Sequence, residues 1–127
     1  MKILVIDDDP VTREVLGGVL KRFGDVVFAH NGSEGVVKIN EAFTEKVAYD
    51  LICLDVMMPQ MSGKEALKVI RDIEKRHNVP ATKVFIITAL TSNLVRKDFL
   101  DGDDLLFIEK PFRKDALIAH VKALNID

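Results

Sequence analysis

The sequence of 127 residues has only one cysteine and lacks any long apolar run. Because Cys53 has no second cysteine to pair with, an internal disulfide bond is excluded. A membrane helix needs roughly 18 consecutive apolar residues, and no run of that length occurs. The apolar run at residues 3–6 is also shorter than a signal-peptide core of about 7–15 residues. We therefore expect a cytoplasmic protein that has no membrane partner.

The sequence has no strong excess of either charge, and it lacks internal repeats and low-complexity segments. Its formal net charge is −2 and its isoelectric point is about 5.9, so no basic excess is present that would attract nucleic acid. Apolar residues make up 48% and charged residues 30%, a balance typical of soluble globular domains. A chain of this length can bury a sizeable core. We expect a single domain over residues 1–127 that does not bind nucleic acid directly.

Short apolar runs alternate with segments of helical periodicity along the whole chain. The runs predict five strands, at residues 3–6, 26–29, 51–54, 84–87 and 105–108. Apolar residues at helical spacing predict helices over residues 11–23, 33 to about 46, 64–77, 92–100 and 112–125. Continuous apolar strands that alternate with one-faced helices predict a doubly wound (βα)5 fold of the α/β class. In this fold a parallel five-stranded sheet is covered on both faces.

Polar side chains stand at the carboxyl ends of four of the five predicted strands. They are Asp7, Asp8 and Asp9 after the first strand, Asp55 after the third, Thr88 after the fourth and Lys110 after the fifth. In doubly wound sheets, ligands bind outside the carboxyl ends of the strands. A carboxylate leaving a buried strand is costly unless another group pairs with it. We therefore expect Asp55 to meet the other acids and the lysine at this edge.

The chemistry of these side chains points to a metal and an anion. Three carboxylates and one ammonium leave an excess of negative charge, and hard oxygen ligands of this kind suit Mg²⁺. With the metal and Lys110 present, the pocket holds enough positive charge to receive a phosphoryl group. The Thr88 hydroxyl adds a hydrogen-bond donor, and a carboxylate oxygen of Asp55 is placed to attack in line. For Asp9, which precedes Pro10, we predict instead an N-cap of the first helix.

Four segments of the chain resemble the motif regions of response regulator receiver domains, the phosphoacceptor modules of two-component signalling. These segments are ILVIDDDPVTREVL, DLICLDVMMPQMSGKEAL, VFIITAL and FIEKPF. They occur in the order and at the spacing of that family, and the resemblance extends over essentially the whole chain. It implies a flavodoxin-like sheet with the strand order 2-1-3-4-5.

The resemblance also implies a role for each of the acids. Asp55 would be the phosphoacceptor and would also contact the metal. Asp7 and Asp8 would hold Mg²⁺, one of them directly and the other through water. Met57 would contribute its backbone carbonyl to the same ion, since a thioether is no ligand for Mg²⁺.

The remaining site residues are assigned by the same resemblance. Thr88 and Lys110 would bind the phosphoryl oxygens. Phe107, where many receivers have tyrosine, would be the aromatic switch residue that reorients when Thr88 moves toward the phosphate. The Lys110–Pro111 step matches a Lys-Pro step that is usually cis in the family.

The implied function is that of a Mg²⁺-dependent phosphoacceptor in a phosphorelay, which catalyses only its own phosphorylation and dephosphorylation. Its donor would be a sensor histidine kinase or a histidine phosphotransfer protein. A downstream protein target or a second copy of the chain would bind the face made by the fourth predicted helix, the fifth strand and the fifth helix. A stand-alone regulator and a receiver domain of a longer protein fit the sequence equally well.

Two other functions fit parts of the sequence. Residues 7–9 after a strand match the D-x-D nucleophile motif of haloacid dehalogenase-class hydrolases. In that class, however, the lysine precedes an acidic Gly-Asp motif, whereas Lys110 follows Gly102-Asp103-Asp104. The second alternative is a receiver-like scaffold that binds proteins without phosphorylation. Such degenerate domains usually lose an acid or the lysine, and this chain retains all of them.

Overall fold

One parallel five-stranded sheet runs through the part of the chain that the computed structural model describes, residues 1–56, 61–89 and 104–126. The strands are β1 (Lys2–Ile6), β2 (Asp25–Ala29), β3 (Leu51–Leu54), β4 (Lys83–Thr88) and β5 (Leu105–Glu109). Their order across the sheet is β2-β1-β3-β4-β5, and every neighbouring pair is parallel. The predicted α/β fold and flavodoxin-like strand order are therefore confirmed.

Four helices connect or follow these strands in the described residues. They are α1 (Pro10–Leu20), α2 (Gly32–Thr44), α3 (Gly63–Arg76) and a C-terminal helix (Lys114–Ala123). Helix α1 is shorter than predicted, because a turn in which the amide of Phe23 donates to the carbonyl of Leu20 follows it at once. The C-terminal helix is two residues shorter at each end than the predicted range 112–125. No helix in the described ranges has the length and apolar character needed to cross a membrane.

The sheet is covered on both faces, as its continuous apolar strands predict. On β1, Leu4 and Ile6 belong to a core shared with α2 and α3. Ile3 and Val5 alternate with them and belong to a second core, shared with α1 and the C-terminal helix. Strands β1 and β3 lie in the middle of this packing, so their carboxyl ends have fixed positions.

Side-chain caps fix the start of α1 and α3, two of the helices that leave the carboxyl edge of the sheet. Asp9 is the N-cap of α1, as predicted, and its carboxylate accepts hydrogen bonds from the Val11 amide at 3.1 Å and the Thr12 hydroxyl at 2.8 Å. Ser62 and Glu65 form a reciprocal capping box at the start of α3. Such caps satisfy amide groups that have no partner within the helix, typically contributing about 1 kcal/mol each.

Candidate functional site

Three carboxylates meet at the carboxyl edge of the sheet, where β1 and β3 are neighbours. One oxygen of each of Asp7, Asp8 and Asp55 lies within 4.8 Å of the others. Asp7 and Asp55 are almost completely buried, at 1% and 6% exposure, whereas Asp8 is exposed. Two buried acids and a third that faces solvent give a pocket that is strongly negative and open to an ion from outside.

Backbone contacts of the central strands hold the two buried acids in place. The amide of Asp7 donates to the carbonyl of Ala29 at 3.1 Å, and the amide of Asp55 donates to the carbonyl of Ile6 at 3.0 Å. Both bonds continue the sheet by one residue beyond the strand ends. The start of α3 packs on the same backbone, since a Cβ atom built on Gly63 would lie 2.3 Å from the carbonyl oxygen of Asp55. Only glycine leaves room for this approach.

Lys110 reaches into the pocket from the end of β5. Its ammonium lies 3.0 Å from Oδ2 of Asp7 and 3.4 Å from Oδ2 of Asp55. Partial burial disfavours the ammonium, but the hydrogen bond to Asp7 and the charges of both acids outweigh it and raise the pKa of Lys110 above its ordinary value. The amide of Lys110 donates to the carbonyl of Thr88 at 2.8 Å, and the Lys110–Pro111 bond is cis, as predicted.

Thr88 and Phe107 occupy the two strands beside the pocket. Thr88 is the last residue of β4, is 2% exposed and pairs in register with Glu109. Phe107 is on β5, where it pairs in register with Ile86 of β4. Its side chain is half-buried and packs against the core shared with α2 and α3. The fold therefore brings the predicted hydroxyl donor to the carboxyl edge and places the predicted switch residue on the adjacent edge strand.

Two parts of the predicted site lie outside the described residues. They are Met57, whose backbone carbonyl was assigned to the metal, and the predicted fourth helix at residues 92–100. Of the predicted protein-binding face, the structure describes β5 and the C-terminal helix.

One side chain next to the acids, Arg13, was not predicted from the sequence. Nη1 of Arg13 donates a hydrogen bond to the main-chain carbonyl of Asp7 at 2.7 Å. Arg13 lies in the first turn of α1, where a cation opposes the helix dipole. A basic residue at the start of a helix, directly after a run of acids, is the sequence signal that could have identified it.

The donor atoms of the pocket fit a hard divalent cation. Asp7, Asp8 and Asp55 offer carboxylate oxygens from two adjacent strand ends, close enough together to contact one ion. Lys110 supplies only one positive charge against three carboxylates. Mg²⁺ is commonly held by a few carboxylates and several waters, and the exposed side of the pocket at Asp8 gives those waters room.

The fold and the pocket together define a flavodoxin-like α/β domain that has an acidic site at its strand-order switch, between β1 and β3. The family model of the response regulator receiver domain matches residues 3–122, and the chain belongs to this family. Membership confirms the predicted family and excludes the hydrolase alternative. The receiver domain family is a family of signalling domains.

Two curated relatives are longer proteins that this chain matches over part of their length. The transcriptional regulatory protein CpxR homolog of Haemophilus influenzae is 40% identical over 126 residues, which are 97% of this chain and 49% of that protein. Hybrid signal transduction histidine kinase D of Dictyostelium discoideum is 32% identical over 119 residues, which are 94% of this chain and 7% of the kinase. The chain thus spans about half the length of the first relative and a small part of the second.

A solved structure with bound ions has the same fold. The CheX–CheY–BeF3–Mg²⁺ complex from Borrelia burgdorferi matches this chain with a TM-score of 0.81 and 25% sequence identity. The match covers 100% of this chain and 90% of that one.

Proposed function

We propose that this receiver domain accepts a phosphoryl group on Asp55 as a Mg²⁺-dependent step of a two-component phosphorelay. One observation carries the proposal: Asp55 is nearly buried at the end of β3, within reach of two other carboxylates and of the Lys110 ammonium. A structural aspartate at a strand end needs one partner, whereas this arrangement surrounds Asp55 with groups that handle a metal and an anion.

Asp7, Asp8 and Asp55 would hold the metal, with the carbonyl of Met57 as a further ligand by resemblance to the family. When bound, Mg²⁺ neutralises negative charge on the carboxylates and on the incoming phosphoryl oxygens. The Mg²⁺ in the matched Borrelia burgdorferi complex supports this assignment.

The residues of the chain itself would position the reacting atoms. A carboxylate oxygen of Asp55 attacks phosphorus in line with the bond to the donor histidine. As the O–P bond forms, the N–P bond breaks and its electron pair stays on the histidine nitrogen. The imidazole leaves neutral after its ring takes up one proton from solvent. Lys110 and the Thr88 hydroxyl would stabilise the transferred phosphoryl oxygens.

The donor would be a histidine kinase or a histidine phosphotransfer protein. The similarity to a segment of a hybrid histidine kinase supports a phosphohistidine source. The outcome of phosphorylation would be a change on the face that includes β5 and the C-terminal helix. A hydrogen bond from the Lys110 amide to the Thr88 carbonyl joins these two residues. Both would move toward the phosphoryl dianion on Asp55, and Phe107 would take the space that Thr88 leaves. That face would then bind a protein target or a second copy.

Mass spectrometry tests the acceptor. We expect wild-type protein with acetyl phosphate and Mg²⁺ to gain one phosphoryl group that is labile to base and hydroxylamine, and to gain none with EDTA. Asp55→Asn should abolish the gain, while Asp72→Asn, at an exposed position on α3, should leave it unchanged. An equal rate in Asp55→Asn would exclude Asp55 as the acceptor. No phosphorylation of the wild type would favour the scaffold alternative.

Nuclear magnetic resonance tests the switch. On activation by BeF3⁻ and Mg²⁺, amide shifts should extend from the pocket to β5 and the C-terminal helix. Thr88→Val removes the hydroxyl and should reduce the shifts in β5, whereas Thr44→Val, at an exposed position of α2, should not. Shifts confined to the surroundings of Asp55 would contradict the proposed switch.

A further inference from the structure

We propose that Arg13 is a positioning residue of the metal site, which it organises through the main chain of Asp7. Its Nη1 lies 2.7 Å from the Asp7 carbonyl oxygen, and the side chain is half-buried. The inference rests on the proposed function, since it concerns the Mg²⁺ that Asp7 and Asp8 would hold.

Every polar group of Asp7 has a partner. Its amide donates to Ala29, Oδ1 accepts from the Asp9 amide at 2.9 Å, Oδ2 accepts from Lys110, and its carbonyl accepts from Arg13. The carbonyl would otherwise be free to turn, because β1 ends at Ile6 and the chain bends here into α1. Arg13 therefore fixes the main-chain carbonyl of Asp7, which the sheet no longer holds.

Fixing this carbonyl also fixes Asp8. The Asp7 carbonyl and the Asp8 amide belong to the same planar peptide unit, so holding one end sets the direction in which the chain enters Asp8. Asp8 is exposed, in contrast to Asp7 and Asp55. The bond from Arg13 thus keeps the Asp8 carboxylate within 4.8 Å of the two buried ones.

An arginine at this position suits a positioning role better than a purely electrostatic role. A guanidinium is always charged and offers five donors, so it holds a carbonyl at any pH at which the protein is folded. A cation in the first turn of a helix opposes the helix dipole, so its presence in α1 calls for a compensating contact. The bond to Asp7 supplies that contact and leaves all carboxylate oxygens of the pocket to other partners.

Positioning and simple electrostatics predict opposite effects on metal binding. If Arg13 acted only as a nearby positive charge, it would repel Mg²⁺, and Arg13→Ala would bind the ion more tightly. If Arg13 positions Asp7 and Asp8, its removal lets the Asp7–Asp8 peptide turn, and Arg13→Ala binds the ion more weakly. Residues that orient metal ligands typically change metal affinity by about 10- to 100-fold.

Isothermal titration calorimetry with Mg²⁺ alone distinguishes the two effects. We expect Arg13→Ala to raise the Kd about tenfold and Arg13→Lys, which keeps the charge but loses the guanidinium, to give an intermediate value. Arg22→Ala, which removes an exposed arginine after α1, should bind like the wild type. A Kd for Arg13→Ala that is equal to or lower than that of the wild type would overturn the proposal.

Phosphorylation at varied Mg²⁺ separates positioning from loss of folding. The rate for Arg13→Ala should approach the wild-type rate when Mg²⁺ saturates the site, whereas a merely structural defect lowers the rate at every concentration.

If Arg13→Ala does not fold, the Arg13→Lys titration decides, because an unchanged Kd there contradicts the proposal. Wild-type protein that binds no Mg²⁺ and gains no phosphoryl group would overturn the proposed function as well. A phosphorylated wild type whose Arg13 variants bind Mg²⁺ equally would overturn only this inference.

Discussion

The ammonium of Lys110 lies closer to Asp7 than to Asp55, with Nζ 3.0 Å from Oδ2 of Asp7 and 3.4 Å from Oδ2 of Asp55. The lysine therefore interacts most closely with an acid that we assign to the metal, rather than with the proposed phosphoacceptor. A cation that binds Asp7 has to share this carboxylate with the ammonium or displace it. Metal binding at this site would therefore be coupled to the position of Lys110.

Lys110→Met should consequently bind Mg²⁺ more tightly than the wild type. Methionine has a similar length and no charge, so the repulsion between ammonium and metal disappears while the packing changes little. We expect a roughly tenfold lower Kd, which corresponds to about 1.4 kcal/mol, together with a loss of rapid phosphorylation. Lys83→Met is a matched control, because Lys83 pairs with Asp104 away from the acids. An unchanged Kd in Lys110→Met would mean that the lysine and the metal do not compete.

The two cations beside Asp7 should thus have opposite effects when they are removed. Lys110 contacts the carboxylate and Arg13 contacts the carbonyl. The Kd for Mg²⁺ of Lys110→Met and of Arg13→Ala, measured in the same buffer, compares a cation that competes with the metal with a cation that positions its ligands. Each variant loses one positive charge, so a difference in net charge cannot explain opposite effects.

Substitution of two glycines by alanine should change stability in opposite directions. At Gly63 a new Cβ atom meets the Asp55 carbonyl at 2.3 Å, so either α3 or the strand end has to shift. We expect the free energy of unfolding to fall by about 1–3 kcal/mol, as for other overpacked sites. At Gly18 of α1 a Cβ atom meets nothing within 4 Å, and alanine should add about 0.5–1 kcal/mol because it favours the helix. Urea unfolding measures both values, and a loss of stability in Gly18→Ala would contradict this interpretation.

The raised pKa of Lys110 predicts a loss of stability in alkali. Partial burial opposes the ammonium, but Asp7 and Asp55 favour it more strongly, so the folded state holds this proton more tightly than the unfolded chain does. The stabilisation by the pair is complete below the unfolded pKa of about 10.4 and disappears as the pH rises through the folded value. The difference in unfolding free energy between wild type and Lys110→Met should therefore stay constant from neutral pH up to about pH 10 and change as the pH rises above it. A difference that changes between pH 6 and 9 would assign the effect to another group.

The thiol of Cys53 should be unreactive in the folded protein. Its side chain is 1% exposed in the middle of β3, and burial raises the pKa of the thiol to about 12. Since thiolate is the reactive species, iodoacetamide at pH 8 should alkylate the native chain at least about a hundredfold more slowly than the chain in urea. Intact-mass spectrometry measures the rate of alkylation. Equal rates for the native chain and the chain in urea would show that β3 opens readily.

The strands and the site acids could be predicted from the sequence because one physical pattern specifies both. Leu51–Leu54 is buried at every position, so it reads as one apolar run, and the first polar residue after it is Asp55. The same pattern places Asp7 after β1 and Thr88 at the end of β4. In a parallel sheet these ends share an edge, and the acids are therefore brought together by the fold class alone.

The helix ends could not be predicted as well, because apolar side chains outside the helices also join the core. Phe23 packs against the core from the turn after α1, and Phe112 and Leu124 pack against it from either side of the C-terminal helix. Their spacing continues the helical pattern into residues that are not helical. Arg13 was missed for a different reason. Its partner is a main-chain carbonyl, which every residue has, so the only sequence signal is a basic residue in the first turn of a helix that follows a run of acids.

The bond between Lys110 and Asp7 joins positions that are 103 residues apart in the chain. During synthesis the acids of β1 and β3 emerge long before the strand that carries their lysine. Contacts between positions so far apart in sequence form late, because the entropy of closing the loop is lost before the contact can stabilise the fold. Until β5 adds to the edge of the sheet, the nascent domain has carboxylates without their countercharge. On the proposed function, the ability to accept a phosphoryl group would therefore arise only after β5 has joined the sheet, and a partly made chain would not divert phosphate from its pathway.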